Sequence, residues 1–193
     1  MSRYDATEDP LCYIDTHVLQ NKAGLRDQDE LDQFEQLMFL SRSEEALPDG
    51  TLNYDHYKRI HLHFFQDVYN WAGKTREIRT AKGGNWFCYP EHIDAEMRKI
   101  FAQLADEGHL ASLSDSAHFA DRAAHFIAEI NAIHPFREGN GRCQLTLLDL
   151  LLSHAGLEMS EAYIDPPAFM QAMIASFHGD NEPLACAIRE MMD

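Results

Sequence analysis

Apolar residues recur at helical spacing along most of the chain. The first clear run spans 27–46, where Leu31, Phe34, Leu37, Met38 and Leu40 follow helical spacing. Asp27 stands where an N-cap belongs, with Glu30 three residues on, an acidic form of the capping box. Pro48-Asp49-Gly50 then predicts a turn. A core helix is expected over 54–71, with Tyr57, Ile60, Phe64, Phe65 and Val68 on one side and Gly73 ending it. Over 76–89 the period changes. Glu77-Ile78-Arg79-Thr80 and Trp86-Phe87-Cys88-Tyr89 flank Lys82-Gly83-Gly84-Asn85, the pattern of a β-hairpin. An isolated hairpin is marginally stable in water, so this one must rest on helices or bind something. Helical spacing resumes over 90–107 and 114–133 and breaks at 134–139. It returns over 140–154, which holds Leu145, Leu147, Leu148, Leu150, Leu151 and Leu152. Helices over 166–177 and 182–192 complete the chain, and 1–26 carries no clear pattern. The expected fold is an all-α bundle with one small hairpin, built as a single domain over 1–193.

Composition narrows the function classes. The 193 residues are 45% hydrophobic, enough for a proper core. Thirty-two acidic against sixteen basic side chains give a formal charge of −16. Such a chain repels a phosphate backbone, which argues against direct nucleic-acid binding and leaves a basic partner surface open. Cys12, Cys88, Cys143 and Cys186 are scattered with no C-x-x-C pair, so reduced thiols are expected rather than a disulfide framework or zinc ribbon. Residues 1–10 are polar and acidic, and no stretch approaches the ~20 apolar residues of a membrane span. The expected location is cytoplasmic, with no membrane partner.

The break at 134–139 opens the stretch that carries the chemistry, His134-Pro135-Phe136-Arg137-Glu138-Gly139-Asn140-Gly141-Arg142. Pro135 keeps His134 from continuing the preceding helix. Gly139 and Gly141 allow unusual backbone angles and close ligand approach. Asn140 suits the N-cap of the leucine-rich helix after it. The loop thus delivers backbone N–H groups at a helix N-terminus, an anion site favoured by the helix dipole. Arg137 and Arg142 supply cations suited to phosphate oxygens. Glu138 beside them is a natural Mg²⁺ ligand, and His134 can act as a general base near neutral pH. Together these parts point to phosphoryl or nucleotidyl transfer. The loop is neither a Walker A loop nor H-E-x-x-H. The remaining histidines, among them His56, His61, His63, His118 and His125, read as ordinary surface or core residues; His61 and His63 do not share a helix face.

The nonapeptide resembles, without departure, the Fic signature H-P-F-x-[DE]-G-N-G-R. The likeness extends to Asn21-Lys22-Ala23-Gly24-Leu25, to the stretch from Phe65 to Gly73, to Lys82-Gly83-Gly84, to Ile130-Asn131-Ala132-Ile133 and to the stretch from Ala175 to Asp180. The resemblance implies a Fic-fold bundle with its core at about 54–155 and a hairpin flap at about 76–89. It implies transfer of AMP from ATP to a Ser, Thr or Tyr hydroxyl of a target protein. His134 would be the general base and Glu138 would hold Mg²⁺ on the α- and β-phosphates. Gly139, Asn140 and Gly141 would form the anion hole, and Arg142 would grip the γ-phosphate with help from Arg137. Phe136 would be a core anchor. The flap would register the target segment by strand addition. Lys82 and Gly83 either touch the nucleotide or, for Lys82, form a solvated turn.

Fic enzymes are commonly restrained by a glutamate in S/T-x-x-x-E-G/N. Here Glu107-Gly108 has Gln103 four residues before the glutamate, Glu138-Gly139 has His134, and Ser41 with Glu45 is followed by Ala46. None qualifies. The resemblance therefore implies a toxin restrained by a small antitoxin from another chain, with the ATPase subunits of DNA gyrase and topoisomerase IV among the family's targets. Kinase-like or other transfer chemistry, a host-directed effector and a non-catalytic helical module are the alternatives.

Overall fold

Asp27 starts the first helix. In the computed structural model its carboxylate accepts from the N–H groups of Asp29 and Glu30, two donors that a helix start leaves open. Helix α1 then runs over Gln28–Ser43. The structure describes residues 9–160 and 166–192. The chain divides into two compact units, Met1–Asp94 with Pro135–Gly139, and Ala95–His134 with Asn140–Asp193.

In the first unit α1 lies against α2, Tyr54–Phe65. The inward face of α1 is not the stripe that periodicity picks out. Leu37 and Leu40 are exposed, while Leu31 and Glu35 are buried. Phe39 meets Phe64 at 4.7 Å between ring centroids. Residues 31, 35 and 39 are successive i+4 positions, so one face is formed with a carboxylate in it. The Tyr69 hydroxyl donates to Glu35, which lets the polar group be buried there.

Helix α2 is capped by Asn53, whose side chain accepts from His56 N–H, and it stops at Phe65 rather than reaching Trp71. The N–H groups of Val68 and Tyr69 both bond the Phe65 carbonyl, and the Val68 carbonyl accepts from Lys22 N–H at 2.9 Å. Tertiary bonding to the 19–25 segment thus replaces the helix. His56 is a buried core residue: its Nδ1 accepts from Leu52 N–H at 3.2 Å and its Nε2 donates to the Pro48 carbonyl at 2.7 Å.

The hairpin is shorter than expected. Strand β1, Ala81–Lys82, pairs antiparallel with β2, Asn85–Trp86. Gly83 and Gly84 have φ of +58° and +81°, the both-positive pattern of a type I′ turn. One further bond runs from Phe87 N–H to the Thr80 carbonyl at 3.1 Å. Below that, the buried Arg76 guanidinium replaces the ladder, donating to Ile78 and Cys88 carbonyls at 2.7 and 2.6 Å. Arg79 lies over Trp86 and Tyr89, 4.6 and 3.9 Å from the ring centres.

Helix α3, Pro90–Asp106, leads into the second unit, where a 3₁₀ turn at Gly108–Leu110 follows. Helix α4, Ser116–Ile133, packs against α5, Asn140–Ala155, α6, Pro166–Phe177, and α7, Glu182–Glu190. Asp115 caps α4 by accepting from His118 N–H. Helix α5 buries Cys143, Gln144, Leu147, Leu148, Leu151 and Leu152, while Leu145 and Leu150 are half-buried. Burial pushes the Cys143 thiol up, and all four cysteines are free. The architecture is all-α with a two-stranded hairpin, as the sequence pattern predicts. No helix among the described residues is long and apolar enough to cross a membrane.

Candidate active site

In the first unit, the loop Pro135–Gly139 is held from several sides. The Pro135 carbonyl accepts from Arg76 N–H at 2.9 Å. Phe136 is fully buried, stacked on Tyr57 at 5.5 Å and on His61 at 3.9 Å, so it anchors the loop in the core. Arg137 is 3% exposed, and its Nε donates to Asp9 Oδ2 at 2.6 Å. Its charge is thus already matched by a carboxylate 128 positions away, a partner no local pattern announces.

Glu138 is buried, and its Oε1 accepts from Gly139 N–H at 3.0 Å. Gly139 has φ of +84°, and a Cβ there would lie 2.4 Å from the Phe65 ring. Both facts require glycine. Glu138 and Arg137 border a small, open hollow, lined as well by His17, Leu19, Gln28, Asp32, Glu35 and Tyr69. The Glu138 carboxylate beside this hollow offers the hard oxygen donor that Mg²⁺ takes, a cation bound by one or two carboxylates plus phosphate oxygens. Lys82 and Gly83 sit exposed at the hairpin tip.

In the second unit, α4 ends at Ile133 and His134 takes a left-handed conformation, φ +52° and ψ +65°. Its N–H closes on the Ile130 carbonyl at 2.8 Å. The following proline disfavours the right-handed helical region, and histidine is among the residues that tolerate positive φ. His134 Nδ1 lies 3.3 Å from the Asn131 carbonyl. A carbonyl only accepts, so Nδ1 carries the proton and Nε2 is the basic nitrogen. Asn131 is itself tied by its side chain to the Met173 carbonyl at 3.2 Å.

Helix α5 opens at Asn140 itself, which is fully buried, one position earlier than a capping Asn140 requires. Gly141 and Arg142 lie in its first turn, with Gly141 exposed and Arg142 half-buried. Backbone N–H groups of a first turn suit an anion. Sequence patterns did not single out Arg76, His61, Asn131 or Asp9 as supports of these residues. Their partners are backbone carbonyls and a distant guanidinium, which leave no motif. Glu45 pairs with Arg42 at 2.9 Å, an ordinary surface i,i+3 contact.

The Fic/DOC family model matches residues 51–152. The chain is 59% identical, over the full length of both proteins, to y4lH of Sinorhizobium fredii, named a probable protein adenylyltransferase. It is 35% identical to the protein adenylyltransferase VbhT of Bartonella schoenbuchensis, over 98% of this chain and 40% of that one. The fold is similar to the N-terminal Fic domain of a VirB-translocated effector from Bartonella quintana, solved with bound ADP. That match has a TM-score of 0.84 at 25% identity and covers 94% of this chain and 93% of the other. The chain belongs to the Fic/DOC family, and within it to relatives named as protein adenylyltransferases.

Proposed function

We propose that this chain is a protein adenylyltransferase that moves AMP from ATP onto a Ser, Thr or Tyr hydroxyl of a target protein. The observation that carries this reading is the uninterrupted signature from His134 to Arg142, with His134 held by the Asn131 carbonyl in the tautomer that leaves Nε2 basic.

His134 Nε2 takes the proton of the target hydroxyl as its oxygen attacks the α-phosphorus. The new O–P bond forms while the bond to the β-phosphate oxygen breaks, and pyrophosphate leaves. The N-terminus of α5 at Asn140 and Gly141 offers backbone N–H groups to the phosphate oxygens, with Gly141 exposed; Gly139 completes the anion hole as the left-handed link whose own N–H meets Glu138 Oε1. Arg142 supplies the phosphate-facing cation. Arg137, already paired with Asp9, contributes chiefly by fixing the loop. Glu138 would hold Mg²⁺, which neutralises phosphate charge when bound. Lys82 and Gly83, exposed at the hairpin tip, touch the nucleotide, and the hairpin registers the target segment by strand addition.

The chain contains no S/T-x-x-x-E-G/N motif, which supports inhibition in trans by an antitoxin glutamate. Targets among gyrase and topoisomerase IV ATPase subunits fit that toxin reading, which places the reaction in the cytoplasm. The reading treats 1–193 as one Fic domain.

The test runs the purified chain with Mg²⁺, bacterial lysate and either α- or γ-labelled ATP, beside His134→Ala. Protein labelling from the α-label alone is expected, falling about 10²- to 10⁴-fold in the variant. Labelling from the γ-label means phosphate transfer and sinks the proposal.

A further inference from the structure

His61 on α2 is fully buried and stands outside the signature. Its Nε2 lies 3.0 Å from the Glu138 carbonyl, and its Nδ1 accepts from Gly73 N–H at 2.8 Å. An Nδ1 that accepts carries no proton, so the ring is neutral and Nε2–H donates to Glu138. The ring cannot pivot freely. It is stacked on Phe136 at 3.9 Å, with Phe65 at 4.7 Å and Trp71 at 6.0 Å.

The Glu138 carbonyl and the Gly139 N–H belong to one peptide plane, and such planes are rigid. Holding the carbonyl on His61 therefore fixes the direction of the Gly139 N–H, which meets Glu138 Oε1 at 3.0 Å. A flip of this one peptide would turn that N–H to the opposite side and release the carboxylate from it. Gly139, at φ +84°, has the backbone freedom to permit a flip.

We propose that His61 is a positioning residue for the transfer reaction: it locks the Glu138–Gly139 peptide so that the Gly139 N–H holds the Glu138 carboxylate in its place in the loop. This rests on the adenylyl-transfer reading for its kinetic consequence, but not for its structural one.

The test compares His61→Phe, His61→Asn and His61→Gln with the wild type in the full chain. Phenylalanine keeps a stacked ring and removes both hydrogen bonds. Asparagine keeps an acceptor for Gly73 but falls short of Glu138. Glutamine carries an amide N–H at about the reach of Nε2. Three readouts are taken: amide exchange at Gly139, kcat and KM for ATP, and thermal unfolding. In H61F and H61N, Gly139 exchange is expected to rise at least about tenfold and kcat to fall about 10- to 100-fold, with a smaller change in KM. H61Q recovers most of both losses. The idea is overturned if Gly139 exchange stays at the wild-type rate in H61F and H61N. It is overturned equally if H61Q falls as far as H61N while both unfold cooperatively near the wild-type temperature. If the wild type transfers no AMP yet Gly139 exchange responds as expected, the transfer reading fails and the hold on the loop stands.

Discussion

At the scale of single residues, the loop combines two demands on one position. Gly139 needs a left-handed backbone and has Phe65 where a Cβ would go. Gly139→Ala is expected to lower stability by about 1–3 kcal/mol, since strain and overpacking act together. Its urea midpoint is the measurement, and a midpoint equal to the wild type would refute the close approach. His134 shows a different economy. Its left-handed φ, the proline after it and the Asn131 carbonyl fix one rotamer and one tautomer before any substrate arrives.

At the scale of elements, the hairpin depends on its turn more than on its ladder. Only two residues pair on each side, so the Gly83-Gly84 turn sets the register. Gly84→Val is expected to speed exchange of the Phe87 amide, which bonds Thr80. Gly84→Asn, better suited to positive φ, is expected to leave it slower than in the valine variant. Equal exchange in both variants would remove the turn from this role.

A second element-scale tie joins the end of α1 to the turn after α2. Arg42 meets Asp67 through two bonds, at 2.7 and 3.0 Å, and the guanidinium holds the carboxyl below its ordinary value near 3.8. A carboxylate with a lowered folded-state pKa stabilises fully above the unfolded value, and that stability is lost as pH falls through the lowered one. The stability gap between wild type and Asp67→Asn is therefore expected to be present at neutral pH and to shrink below about pH 4. The pair is partly exposed, so water limits the gap to the order of 1 kcal/mol or less. Denaturant titrations at neutral and acid pH would read it, and a gap that widens in acid would reverse the assignment.

At the scale of the whole molecule, one ion pair spans most of the sequence. The Asp9 and Arg137 side chains are both buried, so removing Asp9 takes the carboxylate partner from a guanidinium held away from water. Asp9→Ala is expected to cost about 3–5 kcal/mol, measured by chemical unfolding. A loss within the range of an exposed pair would mean that the segment around Asp9 does not close over Arg137. The formal charge of −16 acts differently. It favours solubility and basic partner surfaces.

The sequence alone determined whatever depends on residues a few positions apart. The Asp27 cap, the double-glycine turn, the helical runs and the signature are written in local spacing, because caps, turns and helix periods act over three or four residues. Tertiary structure decided the rest. It turned α1 so that Glu35 and Phe39 face inward while Leu37 and Leu40 do not. It ended α2 at Phe65 by giving the Val68 carbonyl to Lys22. It committed Arg137 to Asp9 and His61 to the Glu138 carbonyl. Each of these choices follows from the high cost of burying a polar group without a partner, and that partner can come from any distance along the chain.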